Sequence, residues 1–342
     1  MNQKRVLVTG GTGYIGSHTV VELINEGFSV VIVDNLSNSE GFIVDRIEQI
    51  TGIRPDFEQF DLCDKEASQA FFNKYTDICA VIHFAASKAV GDSVNNPLKY
   101  YKNNLNSLIN VLEGMDRTGV QNIVFSSSCT VYGQPDVLPV TENAPIKPAL
   151  SPYGNTKQIC EEIIRDYLQV HPEHTAVLLR YFNPIGAHPS ALIGELPRGV
   201  PDNLVPFITQ TGLGIREELK VFGNDYNTID GSCVRDYINV VDLAKAHVIA
   251  IQRLINKKNK LHCEIFNLGT GHGYSVLQLI ESFIKVSGVK LNYKIVERRP
   301  GDIEKIFADT TFANHELGWK AEKTLDETVL SAWLWEKNYR GK

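Results

Sequence analysis

Seven residues, Ser151-Pro152-Tyr153-Gly154-Asn155-Thr156-Lys157, hold the spacing in this chain with the most chemistry in it. Ser151 is a favoured N-cap residue and Pro152 suits a first helical position, so a helix is expected to start here. Ile159, Ile163, Tyr167 and Val170 then follow as one apolar face, which has to end before Pro172. On that helix Tyr153 and Lys157 stand at i and i+4 and project from one side. An ammonium group beside a phenol favours the phenolate, as does a helix N-terminus. Tyrosine so placed is an acid/base near neutral pH. A solvated helix face carrying a Tyr and a Lys has the same spacing, so the rest of the chain has to decide.

The elements that must position this pair begin at the N-terminus. Arg5-Val6-Leu7-Val8-Thr9 is a β-branched run, followed by Gly10-Gly11-Thr12-Gly13-Tyr14-Ile15-Gly16 and an apolar helical stretch through Val20, Val21, Leu23 and Ile24. Ser29-Val30-Val31-Ile32-Val33 follows and ends in Asp34. Strand, glycine loop, helix, strand and acidic residue make a complete dinucleotide-binding βαβ unit. Gly10 permits the tight turn, Gly13 lets backbone approach a pyrophosphate, and Gly16 allows close helix–strand packing. Asp34 lies 18 positions beyond Gly16. A carboxylate there accepts hydrogen bonds from ribose hydroxyls and repels a 2′-phosphate, so NAD is favoured over NADP.

The alternation continues. Residues 56–60 read as a strand ending at Asp61-Leu62, where an adenine would be bracketed, and residues 80–84 as a strand breaking into Ala85-Ala86-Ser87. His83, inside that apolar strand, reads as a satisfied core histidine. Residues 97–115 read as a long helix carrying Asn103 and Asn104, and residues 122–125 as a strand that delivers Ser126-Ser127-Ser128 to its carboxyl end. Ligands of open parallel sheets bind at that end, so these serines are expected to point into the site. Residues 177–182 form the last clear strand, ending at Asn183-Pro184; beyond it Pro and Gly crowd residues 188–206 and the βαβ rhythm is lost. Residues 235–255 return to a strand-like run and an amphipathic helix. The expected fold is α/β: a Rossmann-type doubly wound parallel sheet with a smaller C-terminal α/β substrate domain. The sheet domain is expected to take residues 1–184 with 232–256 returning to it, and the smaller domain, interleaved, residues 185–231 and 257–342.

Composition narrows the classes. With 342 residues, 43% hydrophobic and 22% charged, the chain is ordinary for a globular protein, and a net charge of −6 gives no footprint for nucleic acid or an anionic membrane. No apolar run approaches the roughly 20 residues of a spanning helix. The N-terminus leads directly into a strand. Cys63, Cys79, Cys129, Cys160, Cys233 and Cys263 are scattered without a C-x-x-C pair. A reduced, cytoplasmic protein with buried thiols, no metal site and no nucleic-acid or membrane partner is expected.

The glycine loop, Tyr153-x-x-x-Lys157 and the upstream Ser128 resemble the extended short-chain dehydrogenase/reductase family. Several stretches resemble its UDP-galactose (UDP-glucose) 4-epimerase branch: Val8 to His18, Asp34-Asn35-Leu36, Lys88-Ala89-Val90-Gly91, Phe125 to Gly133, Arg180 to Pro184, Val234 to Ile238 and Arg298-Arg299-Pro300-Gly301-Asp302. The likeness runs in register from residue 5 to about residue 335. It implies NAD held through the cycle, with Tyr153 taking the proton of the sugar 4-hydroxyl while hydride passes from C4 to the nicotinamide. Lys157 would bind the nicotinamide ribose, and Ser128 would hydrogen-bond the 4-oxygen. The cofactor set it implies is Gly10, Gly13, Tyr14, Ile15, Gly16, Asp34, Asn35, Asp61, Leu62, Phe84, Ala85, Lys88, Asn103, Tyr153, Lys157 and Tyr181. The UDP-sugar set adds Thr130, Phe182, Asn183, Asn203, Leu204, Phe222, Arg235, Arg299, Asp302 and Ile306 to Lys88, Ser128 and Tyr153. Ile306 falls where family members differ in substrate scope; a bulky aromatic there excludes N-acetyl sugars and a small residue admits them. Isoleucine is intermediate, so the resemblance leaves both scopes open. The family is usually a homodimer built on two helices per subunit, here residues 97–115 and 153–170.

Two rival readings share these features. A nucleotide-sugar 4,6-dehydratase has the same fold, cofactor and Tyr/Lys pair but needs an adjacent Asp-Glu pair, where this chain has Cys129 and Thr130. A non-catalytic NAD-sensing protein reusing the fold would have no need of Ser128, Tyr153 and Lys157 together.

Overall fold

The computed structural model describes residues 4–299 and 302–341, so Pro300 and Gly301 of the arginine-rich motif lie outside the described residues. β1 (Arg5–Thr9) is a buried apolar strand that breaks at Gly10, whose φ of 69° no L side chain adopts readily. α1 (Tyr14–Asn25) follows, then β2 (Ser29–Asp34), α2 (Phe42–Thr51), β3 (Asp56–Gln59), α3 (Lys65–Lys74) and β4 (Ile78–His83). A short α4 (Val90–Asn95) and the long α5 (Pro97–Thr118) lead into β5 (Asn122–Ser126) and a 3-10 turn at Cys129–Tyr132. α6 (Pro152–Val170) starts where the N-cap signal predicts, because the Ser151 hydroxyl accepts a hydrogen bond from the Gly154 N–H and Pro152 occupies the first turn. β6 (Thr175–Tyr181) closes this series.

The chain continues through β7 (Asn183–Ile185), α7 (Leu204–Gly212), β8 (Leu219–Phe222), β9 (Val234–Arg235), β10 (Tyr237–Asn239) and α8 (Val240–Ile255). They are followed by β11 (Cys263–Leu268), β12 (Tyr274–Ser275), α9 (Val276–Ser287), β13 (Tyr293–Val296), β14 (Lys305–Ile306) and α10 (Leu325–Arg340). Capping boxes start α9 at Ser275 with Gln278 and α10 at Thr324 with Glu327.

Seven strands form one sheet in the order β11-β6-β5-β4-β1-β2-β3. The chain steps outward from β1 to β3, then returns to the other side of β1 at β4, so strand order reverses between β1 and β4. That is the switch point where open α/β sheets bind ligands. β1 pairs parallel with β2 and, after a register shift between Arg5 and Val6, with β4, which sets Thr9 opposite both Val33 and His83.

The chain forms two compact units. The first runs through Gly133 and adds Ile146–Arg180 and Ala244–Phe266; the second holds Gln134–Pro145, Tyr181–Leu243 and everything from Asn267. These divisions fall elsewhere than residues 184, 232 and 256, for reasons of pairing. β11 lies beside β6 in the large sheet, which keeps residues 257–266 with the first unit. β9 pairs with β12 and β14, which holds residues 232–243 in the second. Val140 bridges Ala308 and accepts a hydrogen bond from Asn267 Nδ2, which draws residues 134–145 there too.

Each unit has its own core. Leu7, Val31, Phe71, Phe72, Leu108, Met115, Phe125 and Leu178 belong to the first; Ile208, Leu219, Val221, Leu279, Phe283 and Trp333 to the second. In the first, α5 passes so near α3 that a Cβ on Gly114 would collide with the fully buried Phe72 ring. Gly114→Ala is therefore expected to cost about 1–3 kcal/mol from overpacking, less about 1 kcal/mol returned by helix propensity. A urea midpoint above that of the unchanged protein would contradict this.

Candidate active site

The glycine loop is shaped for an anion. A Cβ on Gly16 would collide with the Gly10 carbonyl, and one on Gly10 would stand 2.9 Å from the Ala85 nitrogen. The loop is thus packed to backbone thickness against both α1 and the turn after β4. Gly13 is the N-cap of α1, no side chain caps that end, and the first turn carries no acidic residue. The positive end of the helix dipole, at Tyr14 and Ile15, is left to an anion, so these residues fit a pyrophosphate. Asp34 at the end of β2 accepts hydrogen bonds from the Thr12 N–H (3.3 Å), the Leu36 N–H (2.9 Å) and the Ser39 hydroxyl (3.0 Å). Its carboxylate is held beside the loop, as a ribose acceptor requires. Asn35 accepts from the Ser37 N–H at 2.9 Å, and Asp61 from the Cys63 N–H at 2.8 Å. Leu62 is buried, with its carbonyl bonded to Asn110 Nδ2 at 2.7 Å.

The turn after β4 is fixed by Thr9. Its hydroxyl lies 2.9 Å from His83 Nδ1 and accepts from the Ala85 N–H at 3.3 Å, while Phe84 packs its ring on His247 at 4.7 Å. Burial, with the nearby Lys157 charge adding, drives His83 down to about 3. It is a neutral core histidine, as its apolar strand predicts. Lys88 Nζ stands 5.7 Å from the Tyr14 ring centroid. Asn103 donates to Asn104 Oδ1 at 3.0 Å. Asn104, which no spacing rule singles out, grips both backbone groups of Ser87 and donates to Thr156 Oγ1 at 2.9 Å. It ties the turn after β4 to α6.

Tyr153 and Lys157 are both buried on one face of α6. Lys157 Nζ lies 5.9 Å from the Tyr153 ring centroid and 4.8 Å from that of Phe125, and it donates to the Ser126 carbonyl at 2.6 Å. Burial lowers its pKa from the ordinary 10.5 to about 8. Ser128 caps the turn at Cys129–Tyr132, its hydroxyl accepting from the Thr130 N–H at 3.2 Å. Thr130 Oγ1 is buried with no hydrogen-bond partner among the described residues. A buried hydroxyl left unpaired is costly, so a ligand atom is its natural partner. Ser127 faces α6. Its hydroxyl donates at 2.6 Å to Glu161, a buried carboxylate held in turn by Arg180. Neither Glu161 nor Arg180 was recognisable as a pair from spacing, although an arginine inside the apolar run Leu178-Leu179-Arg180 is the signal that one existed.

In the second unit, Arg299 Nη2 lies 2.8 Å and Arg235 Nη2 3.8 Å from the same Asp302 oxygen. The Arg299 guanidinium also covers the Phe222 ring at 5.4 Å. Two guanidinium groups around one carboxylate leave net positive charge beside an aromatic face, which suits a diphosphate next to a base. β14 runs parallel to β9 with Ile306 opposite Arg235, and Ile306 is only 3% exposed. Asn203, the N-cap residue of α7, donates to Glu195 at 2.6 Å, and Leu204 is the first residue of that helix. Tyr181 and Phe182 are buried, and the Asn183 N–H bonds the Asp236 carbonyl at 3.0 Å. Asp236 organises this unit: its carboxylate accepts from the Thr270 N–H and hydroxyl and from the Gly271 and Ala308 N–H groups.

Glycine cradle, Asp34, switch point and buried Tyr153–Lys157 face together define a dinucleotide-dependent protein of the extended short-chain dehydrogenase/reductase class. Residues 7–331 match the family model described as GDP-mannose 4,6 dehydratase. The UDP-glucose 4-epimerase of Bacillus subtilis (strain 168) is 51% identical over 333 residues, covering 97% of each chain. The human UDP-glucose 4-epimerase is 50% identical over 340 residues, covering 98% of this chain and 97% of its own. The crystal structure of the Bifidobacterium longum UDP-glucose 4-epimerase in complex with NAD+ and UDP matches with a TM-score of 0.94 at 47% identity, covering 98% of this chain and 99% of that one. The chain belongs to the family of that model and, more narrowly, to the UDP-glucose 4-epimerases. The dehydratase and sensor readings are not favoured, in keeping with Cys129 and Thr130 in place of an Asp-Glu pair.

Proposed function

We propose that this chain inverts C4 of UDP-hexoses, interconverting UDP-glucose and UDP-galactose with NAD as its cofactor. The observation that carries the reading is the buried α6 face on which Lys157 faces both Tyr153 and the Ser126 carbonyl. NAD, held by the glycine loop and Asp34, would supply the hydride acceptor and donor for C4 of the sugar. The protein residues manage position and protons. Tyr153 removes the 4-hydroxyl proton and later restores it, with the Lys157 ammonium favouring its ionised form. Ser128 and Thr130 offer hydroxyls to the sugar. The glycine loop holds the pyrophosphate and Asp34 the adenosine ribose, with Asn35, Asp61, Leu62, Phe84, Ala85, Lys88, Asn103 and Tyr181 completing the cofactor set. Arg235 and Arg299 grip the substrate diphosphate, and Phe182, Asn183, Asn203, Leu204, Phe222 and Asp302 the rest of the nucleotide. A tightly held nucleotide leaves the sugar free to turn over, which inversion at C4 demands.

Conversion of UDP-glucose, UDP-galactose, UDP-GlcNAc and UDP-GalNAc, followed by chromatography, tests the reading. Interconversion of the first pair is expected; turnover of neither pair by the NAD-loaded protein would overturn it. Turnover of the acetylated pair as well would show that Ile306 leaves room for the acetamido group.

Lys157 gives the reaction a pH signature. Its folded pKa of about 8 lies below the ordinary 10.5, so the ammonium is lost first in the folded state. kcat/KM is expected to fall as pH rises through about 8. Stability should move the opposite way. The cost of burying the charge is fully present below pH 8 and fades between about 8 and 10.5, where the unfolded chain holds the proton more tightly. A kcat/KM flat from pH 7 to 10 would exclude this role for the lysine.

No helix among the described residues is long and apolar enough to cross a membrane, and the scattered free cysteines fit a reducing cytoplasm. α5 exposes Leu98 and Ile109, and α6 exposes Val170. These exposed apolar groups support a homodimer built on the two helices, for which light scattering should give twice the chain mass.

A further inference from the structure

We infer that Asp116, His171, Glu173 and His174 form a binding site for one divalent transition-metal ion of the zinc class, tying the C-terminal ends of α5 and α6. His171, Glu173 and His174 each bring a donor atom within 4.8 Å of the others. His171 Nδ1 lies 3.3 Å from Asp116 Oδ1 and 3.7 Å from Glu173 Oε1, and His174 Nδ1 lies 3.0 Å from Glu173 Oε1. Ligands about 2.0–2.2 Å from a tetrahedral zinc stand about 3.3–3.6 Å apart. These three separations bracket that edge, and since the His171, Glu173 and His174 donors lie within 4.8 Å of one another, binding asks the widest of them to draw in by up to about 1.5 Å, with Asp116 reached through His171.

The second observation is the state of His174. Its side chain is 2% exposed, and among the described residues neither ring nitrogen has a hydrogen-bond partner, although Nδ1 faces Glu173 at 3.0 Å. The Tyr167 ring stacks on His171 at 4.2 Å and meets His174 edge-on at 5.2 Å, which fixes both imidazoles in place. Asp116 and Glu173 are exposed and leave a path for an ion. α6 has no basic residue in its last turn, so its negative dipole end is available to a cation. Two imidazoles with carboxylates select zinc, cobalt or nickel over magnesium or calcium. Spacing does not reveal the site, because His171-Pro172-Glu173-His174 matches no zinc pattern and Asp116 comes from another helix. None of the four residues belongs to the cofactor or sugar-nucleotide sets, so the proposal stands apart from the reading above.

Cobalt titration of the full, chelator-stripped protein tests it. One equivalent should give the visible bands of tetrahedral cobalt without a thiolate charge-transfer band, and zinc should displace it. Zinc at about 100 times its Kd should raise the Tm by about 3 °C. His171→Gln and Glu173→Gln should each weaken binding at least tenfold while leaving the metal-free Tm unchanged. The partly exposed His171 serves as the main variant because His174, deeply buried, is the one whose replacement endangers folding. No cobalt bands, a thiolate band, or an affinity unchanged in His171→Gln would each overturn the site.

Discussion

Tyr153→Phe is expected to lower kcat for UDP-galactose conversion by about 10²–10⁴-fold while the protein keeps its fold and its bound NAD. The substitution removes one oxygen from a buried side chain and leaves its ring. Lys157 keeps its bond to the Ser126 carbonyl, so the cation stays in place without the group whose proton it governs. The loss therefore reports proton transfer rather than packing. Three measurements separate the cases: turnover of both UDP-hexoses, cofactor content by absorbance after denaturation, and the far-ultraviolet spectrum. A kcat within tenfold of the unchanged protein, with cofactor retained, would move the acid/base role away from Tyr153.

Arg180→Met is expected to destabilise the first unit by about 3–5 kcal/mol, through a charge left without its partner. Arg180 and Glu161 are each 2% exposed and form a two-pronged pair, Nε at 2.9 Å and Nη2 at 2.6 Å from the two carboxylate oxygens. Arg180 Nη1 also donates to the Tyr132 hydroxyl at 3.0 Å. Without the guanidinium, Glu161 keeps the Ser127 hydroxyl and the partly exposed Arg165, which is too little for a buried carboxylate. For a chain of this length the loss corresponds to a Tm about 4–7 °C lower. Adding Glu161→Gln should recover part of it, since the uncompensated charge is then gone. A double variant less stable than Arg180→Met alone would show that the hydrogen-bond geometry, not the charge, is what Glu161 supplies. Because Ser127 follows the carbonyl that receives Lys157, the single variant should also reduce kcat.

Local grammar is legible in the amino-acid order alone. The run from Arg5 to Asp34 shows a strand, a three-glycine loop, a helix and an acid, each set by residues within a few positions of one another. Ser151 and Pro152 start α6 by a cap and a fixed φ, so the i, i+4 placement of Tyr153 and Lys157 was legible before any fold was known. His83 was legible as core because its neighbours are apolar on both sides. Tertiary structure decided what depends on partners far along the chain. The reversal of strand order between β1 and β4, which places Ala85 against Gly10, is a choice of neighbours that no local pattern encodes. So is the pairing of Ser127 with Glu161, and the approach of Asp116 to His171. The division of the chain behaves likewise, since β11 joins the large sheet and residues 134–145 leave the first unit by pairings that skip most of the sequence. Caps, turns and helical spacing are properties of neighbours in the chain, whereas burial and charge pairing are properties of neighbours in space.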